Sequence, residues 1–205
     1  MSLTWPELFL VLLVAYLLGC VTPGYYLVGW RTGQDLRAEG SGGVGATNTG
    51  RILGMWGFLA VGIGDATKAA LAVGLARWLS AADWVWMLAL LAVVIGHVWP
   101  VQLGFRGGKG IACAIGGLLI FDPRLFGLLL GLFGLLYLVV LAVPGLRKLP
   151  RNYYVPGMTI ILAAPVGAWF LGHSVPASLL MGLLVVFLLW AHLSNLTKLW
   201  RRVRG

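Results

Sequence analysis

The chain has 205 residues, of which 60% are hydrophobic and 10% charged; fifteen bases face six acids, giving a formal charge of +9, and mean hydropathy is +0.94. A soluble domain usually carries about 25% charged residues. The composition excludes an ordinary soluble enzyme, a disordered chain and a coiled coil. It leaves an all-α polytopic integral membrane protein, read as a single domain over 1–205.

Charges, glycines and prolines divide the chain into seven predicted transmembrane spans, roughly 8–30, 52–76, 84–103, 110–121, 125–146, 154–171 and 175–192. The first, third and fifth read as long and continuous. No basic segment precedes the first, so it is expected to be an anchor rather than a cleaved signal. The fourth is short: Ile111–Phe121 supplies about 17 Å of helix at 1.5 Å per residue, and a re-entrant segment is the alternative. Seven crossings put Arg31, Arg37, Arg51, Arg106, Lys109, Arg147, Lys148, Arg151, Lys198, Arg201, Arg202 and Arg204 on one side, against Arg77 and Arg124 on the other. Twelve bases against two predict an outer N-terminus and a cytoplasmic C-terminus. The bases thus report orientation rather than a nucleic-acid partner. Cys20 and Cys113 lie in apolar runs and indicate no disulfide framework.

The first inner loop reads Glu39-Gly40-Ser41-Gly42-Gly43-Val44-Gly45-Ala46-Thr47-Asn48-Thr49-Gly50-Arg51. Closely spaced glycines can turn several backbone N–H groups toward one point. Ser41, Thr47 and Asn48 add neutral donors, and Arg51 adds a fork suited to phosphate oxygens. The spacing is not that of a Walker A loop, and a flexible linker is the competing reading. The second inner loop, Gly104-Phe105-Arg106-Gly107-Gly108-Lys109-Gly110, puts two bases at a helix start, which the helix dipole disfavours unless an anion compensates. Ordinary positive-inside anchoring would leave these glycines without a role. A third polar patch, His192 and Asn195, closes the seventh span on the same side; a capping or snorkelling histidine is the alternative there.

Asp65 and Lys68, three apart inside the second span, are read as a structural pair, because an isolated charge at bilayer depth costs about 2.5–3.5 kcal/mol on insertion scales. His97 either lines the site or forms a local cap. His173, on an outer turn, is assigned no chemistry. No metal-ligand spacing and no nucleophile elbow appear, so neither a metal nor a cofactor is expected.

At these loops the chain resembles the bacterial membrane acyltransferases that use acyl phosphate to acylate glycerol 3-phosphate. The resemblance rests on Gly40-Ser41-Gly42 with Gly45-Ala46-Thr47-Asn48 and Arg51, on Gly96-His97-Val98-Trp99-Pro100 running on to Gly104–Gly110, and on His192, Asn195 and Leu199. It implies a seven-helix inner-membrane enzyme with its site facing the cytoplasm. The products would be 1-acyl-glycerol 3-phosphate and inorganic phosphate, formed in phospholipid synthesis among membrane lipids, with an upstream enzyme supplying acyl phosphate. The catalytic residues implied are Ser41, Arg51, Lys109, His192 and Asn195; Gly42, Thr47, Asn48, Arg106, Gly107 and Gly108 would bind substrate phosphate. The chain departs from the family pattern at Gly43, Val44, Cys20 and Tyr154-Val155-Pro156-Gly157, and its tail lacks a late glutamate. Two other classes compete: a transporter of a phosphorylated solute and a divergent, non-catalytic lipid-binding membrane subunit.

Overall fold

The computed structural model describes residues 3–143, 145 and 154–204, with side chains from 154 onward described at 157 and 159–192. Within these limits the fold is helical, without strands: α1 (Trp5–Cys20), α2 (Pro23–Thr32), α3 (Ala46–Leu79), α4 (Asp83–Val98), α5 (Ile111–Phe121), α6 (Pro123–Ala142), α7 (Tyr154–Phe170) and α8 (Val175–Arg204). Five stretches are long and apolar enough to cross a membrane: Trp5–Thr32, Ala46–Leu79, Asp83–Leu103, Pro123–Ala142 and Val175–His192. Ile111–Phe121 and Thr159–Phe170 are shorter apolar helices. The basic segment holding Arg147, Lys148 and Arg151 lies outside the described residues.

α4 is the central post, packed against α1, α3, α5 and α8. Glycine permits the closest of these approaches. Gly19 of α1 rests on the backbone of Val93 and Gly96, and Gly96 on that of Tyr16. Gly116 of α5 lies in the same way on Ala66 of α3. A Cβ at any of the three would strike backbone, the small-residue contact by which helices associate in lipid.

Two of the predicted spans are not simple rods. The first is broken at Val21–Thr22, because Pro23 has no N–H to donate and disfavours helical geometry in the residue before it. The break orphans the last carbonyls of α1. Lys68 Nζ bonds two of them, Gly19 O (2.9 Å) and Val21 O (2.5 Å), and Gln102 Nε2 bonds Cys20 O. In hydrocarbon an unpaired carbonyl costs several kcal/mol, so a buried lysine is a reasonable cap. It also brings positive charge to a helix C-terminus.

The second span reverses at Gly54, whose φ of 69° and ψ of −163° are open in practice only to glycine. Gly50 lies against Phe58, and Ala46 beside Gly62. A straight helix would hold that second pair about 24 Å apart. Residues 46–53 are therefore a short arm folded back along 55–79, and only the longer arm runs the length of the bundle.

α5 has 11 residues, as the sequence suggests. Its first end packs near Val94 and Leu188 through Gly110, while Phe121 meets Trp86 and His173 near the start of α4. The helix thus joins the two polar ends of the bundle despite its length. A single residue, Asp122, links it to α6.

Candidate active site

The two glycine loops converge. Val28, Leu36, Val44 and Leu103 form a small buried core of their own beneath them, apart from the main core. Val44 N donates to Gly107 O (3.4 Å), and Arg37 Nη1 to Leu103 O (3.1 Å). Arg37 also clasps Asp35 and lies over the Tyr25 ring. The Arg37 guanidinium holds the exposed Asp35 carboxyl below its ordinary range.

Asn48 organises the first loop. It is buried; its Nδ2 donates to Leu36 O (3.1 Å) and Glu39 O (2.9 Å), while Oδ1 accepts from Ser41 N (3.1 Å) and Arg51 Nη1 (3.0 Å). One amide therefore fixes the loop, presents half-buried Ser41 and aims the exposed Arg51 guanidinium. Thr47 is exposed in the first turn of the folded-back arm. The amide of Gly42 closes a turn onto Glu39 O.

In the second loop, Gly107 N donates to Val98 O and Gly108 N to His97 O, both at 3.0 Å. These two N–H groups thus hold the loop to the end of α4, and the glycines contribute shape. A Cβ on Gly107 would meet the His97 and Val98 carbonyls, and one on Gly108 the His97 ring at Nε2. Gly104 and Phe105 are both left-handed, at φ 62° and 61°. For phenylalanine that conformation costs of order 1–3 kcal/mol, and a bond from its N–H to Pro100 O (3.0 Å) helps to hold it. Arg106 is exposed and Lys109 half-buried.

Lys109 and His192 are close enough for their charges to interact, which brings α8 to the same place. His192 Nδ1 donates to Leu188 O (2.7 Å). That bond fixes the tautomer and leaves Nε2 with its lone pair. Asn195 lies one helical turn further along α8, its side chain outside those described. The three polar patches separated in sequence thus belong to one end of the bundle.

Beneath the loops lies a buried cluster that pairwise reasoning captured only in part. Lys68 Nζ is 2.9 Å from Asp65 Oδ1, and His97 Nδ1 is 3.2 Å from the same oxygen and 2.9 Å from Nζ. All three residues are buried. Asp65 and Lys68 pair as their spacing predicts; His97 joins them from another helix. Asp65, His97 and Cys113 place ligand atoms within 4.8 Å of one another. The Lys68 ammonium, however, is bonded to the first two, a positive charge where a cation would have to sit.

The opposite end of α4 carries a second polar group, although the sequence suggests almost no polarity there. His173 bridges Asp83 (3.1 Å) and Asp122 (2.9 Å); Ser174 donates to Asp83, and Arg124 pairs with Asp122. Burial opposes ionisation of Asp122, but bonds from Arg124 and His173 outweigh it and hold the carboxyl well below its usual range. His173 is thus a structural tie.

The fold and this convergence of basic, glycine-rich loops define an integral membrane protein with a basic candidate site at one end of its helices. Comparison with known proteins specifies it further. The family model described as glycerol-3-phosphate acyltransferase matches residues 9–202. Glycerol-3-phosphate acyltransferase 1 of Desulfitobacterium hafniense is 43% identical over 194 residues, covering 94% of this chain and 90% of that protein. The Bacillus cereus enzyme of the same name is 36% identical, with 90% and 96% covered. Two crystal structures of PlsY, an integral membrane glycerol 3-phosphate acyltransferase, align with it. Its glycerol 3-phosphate form has a TM-score of 0.80 at 28% identity, and its lysophosphatidic acid form 0.77 at 26%; each covers 95% of this chain and 92% of the other. The chain belongs to the glycerol-3-phosphate acyltransferase family.

Proposed function

We propose that this enzyme transfers an acyl group from acyl phosphate to the C1 hydroxyl of glycerol 3-phosphate, releasing 1-acyl-glycerol 3-phosphate and inorganic phosphate for phospholipid synthesis. The observation that carries the reading is the union of the two glycine loops over one small core, with Lys109 within electrostatic reach of His192. Both reactants bear phosphate, and one bears a lipid tail. A cationic site at the end of a helical bundle suits that combination.

In this reading Arg51, Arg106 and Lys109 neutralise the two phosphates, with Ser41, Gly42, Thr47, Asn48, Gly107 and Gly108 shaping the cradle. The hydroxyl attacks the acyl carbonyl, the C–O bond to phosphate breaks, and phosphate leaves with the electron pair. Phosphate is already a good leaving group, so positioning and charge neutralisation account for most of the acceleration. Nε2 of His192 is the available base for the hydroxyl proton, and Asn195 adds a neutral partner one turn away. No bound metal or cofactor is required by this chemistry.

The orientation proposed is seven crossings in the bacterial inner membrane, N-terminus outside and the site facing the cytoplasm. The bias of basic residues and the end-to-end run of α5 support it. Purified protein in lipid nanodiscs, given glycerol 3-phosphate with palmitoyl phosphate or palmitoyl-CoA, tests the reaction. Lysophosphatidate and phosphate formed from palmitoyl phosphate alone support the proposal; turnover with the thioester alone, or with neither donor, overturns it.

A further inference from the structure

The buried trio under the loops has no direct part in that chemistry, yet it is built at considerable cost. An acid and a base inside a helical bundle are costly to desolvate, and removing one partner leaves the other charge buried and uncompensated. A simple apolar contact would serve stability as well. The geometry of the trio indicates another use.

The Lys68 ammonium is the hub. It donates to Gly19 O and Val21 O and lies 2.9 Å from both His97 Nδ1 and Asp65 Oδ1. His97 Nδ1 is 3.2 Å from the same carboxylate oxygen. This holds the imidazole with Nε2 turned toward Gly108, whose missing Cβ leaves room for the ring. The same residue's carbonyl accepts from Gly108 N, and the next carbonyl, Val98 O, from Gly107 N. Gly107 O in turn accepts from Val44 N of the first loop. A continuous path of bonds and contacts therefore runs from the Asp65–Lys68 pair through His97 to both glycine loops. The pair also lies about one turn along α3 from Gly62 and Gly64, which touch Ala46 and Pro23.

We propose that Asp65 and Lys68 are positioning residues for the second basic loop: without touching substrate, they lock the His97 ring against Gly107–Gly108 and so fix where Arg106 and Lys109 stand. The proposal rests on reading that loop as the phosphate site. It differs from a purely structural role by requiring that loop order and substrate affinity change together.

The test compares wild type with the neutral double variant D65N/K68M, which removes both charges and keeps side-chain volume, and with His97→Asn, which keeps a polar group beside Asp65 and Lys68 but loses the ring face toward Gly108. Hydrogen–deuterium exchange over 104–110 is measured in nanodiscs alongside KM for glycerol 3-phosphate and kcat. The expected result is faster exchange in this segment in both variants, with KM raised on the order of 10–100-fold, as for a reacting group displaced by about 1 Å. Unchanged exchange and unchanged KM in the folded fraction, with only a lower melting temperature, would overturn the proposal. If the double variant does not fold, His97→Asn decides by the same two readouts. Should wild type itself prove inactive, the acyl-transfer reading fails, while the exchange comparison still judges the positioning role.

Discussion

The two ends of α4 solve opposite electrostatic problems. At the Asp83 end, His173 ties two carboxylates together, Arg124 matches one of them, and Ser174 satisfies the other. Its connections are short, down to the one residue between α5 and α6. At the His97 end, the loops 31–51 and 104–109 hold five bases and two acids, and one of those acids is already matched to Arg37. Five glycines punctuate 40–50, and the loop core is small. Charge neutralised within the protein stabilises it; a net excess of basic over acidic residues suits the anionic reactants of the proposed reaction. The contrast suggests which end tolerates disruption of chemistry and which tolerates disruption of structure.

Lys109→Ala should separate the two ends most sharply. Loss of a transition-state cation typically costs about 10²–10³ in turnover, and acyl transfer in reconstituted protein should fall by that order while the melting temperature stays near wild type. Near-normal turnover would remove Lys109 from the mechanism. Gly108→Ala comes next. Its Cβ would collide with His97, so KM for glycerol 3-phosphate should rise on the order of tenfold or more through misplacement of the loop, whereas Gly127→Ala, in open space, should leave both kinetics and stability unchanged.

Asp122→Asn tests the other end. It weakens the cap of α6, where Asp122 accepts from Arg124 N and Leu125 N, and removes charge from the histidine tie. Loss of capping alone is worth about 0.5–2 kcal/mol, so thermal stability should drop while KM in the folded protein is preserved. The smallest effect is one of pH. The depressed Asp122 carboxyl gives a contribution complete above the unfolded carboxylate value, about 3.9, and lost as pH falls toward the lower folded value. Wild type should therefore lose stability on acidification more steeply than Asp122→Asn, as melting curves recorded between neutral and acidic pH would show.

Much of this architecture is legible from hydropathy, because long uncharged runs in lipid have few conformational choices. The break at Val21–Thr22 has a readable cause in Pro23, yet its neighbours are apolar enough to pass for one continuous helix. The reversal at Gly54 has no such marker: among 30 glycines, nothing local distinguishes the one with positive φ between two apolar stretches. The candidate site divides in the same way. Ser41, Arg51, Lys109 and His192 announce themselves through residue type and loop composition. Asn48 reads as one donor among several, although the structure makes it the hub of its loop. Spacing within α3 suggests Asp65 with Lys68, but no local pattern supplies His97, 29 residues beyond Lys68. The Asp83–His173–Asp122 tie escapes for the same reason, since its members come from three separate turns.

The fold-back at Gly54 has a consequence for how reactants from two phases come together. It carries Ala46 down beside Gly62, about 12 Å along the helix from the bend. The first loop thus enters α3 level with Gly62 rather than at the bend. In the proposed reaction, a water-soluble head group bound there would meet a lipid-dissolved chain with neither partner having to abandon its own solvent.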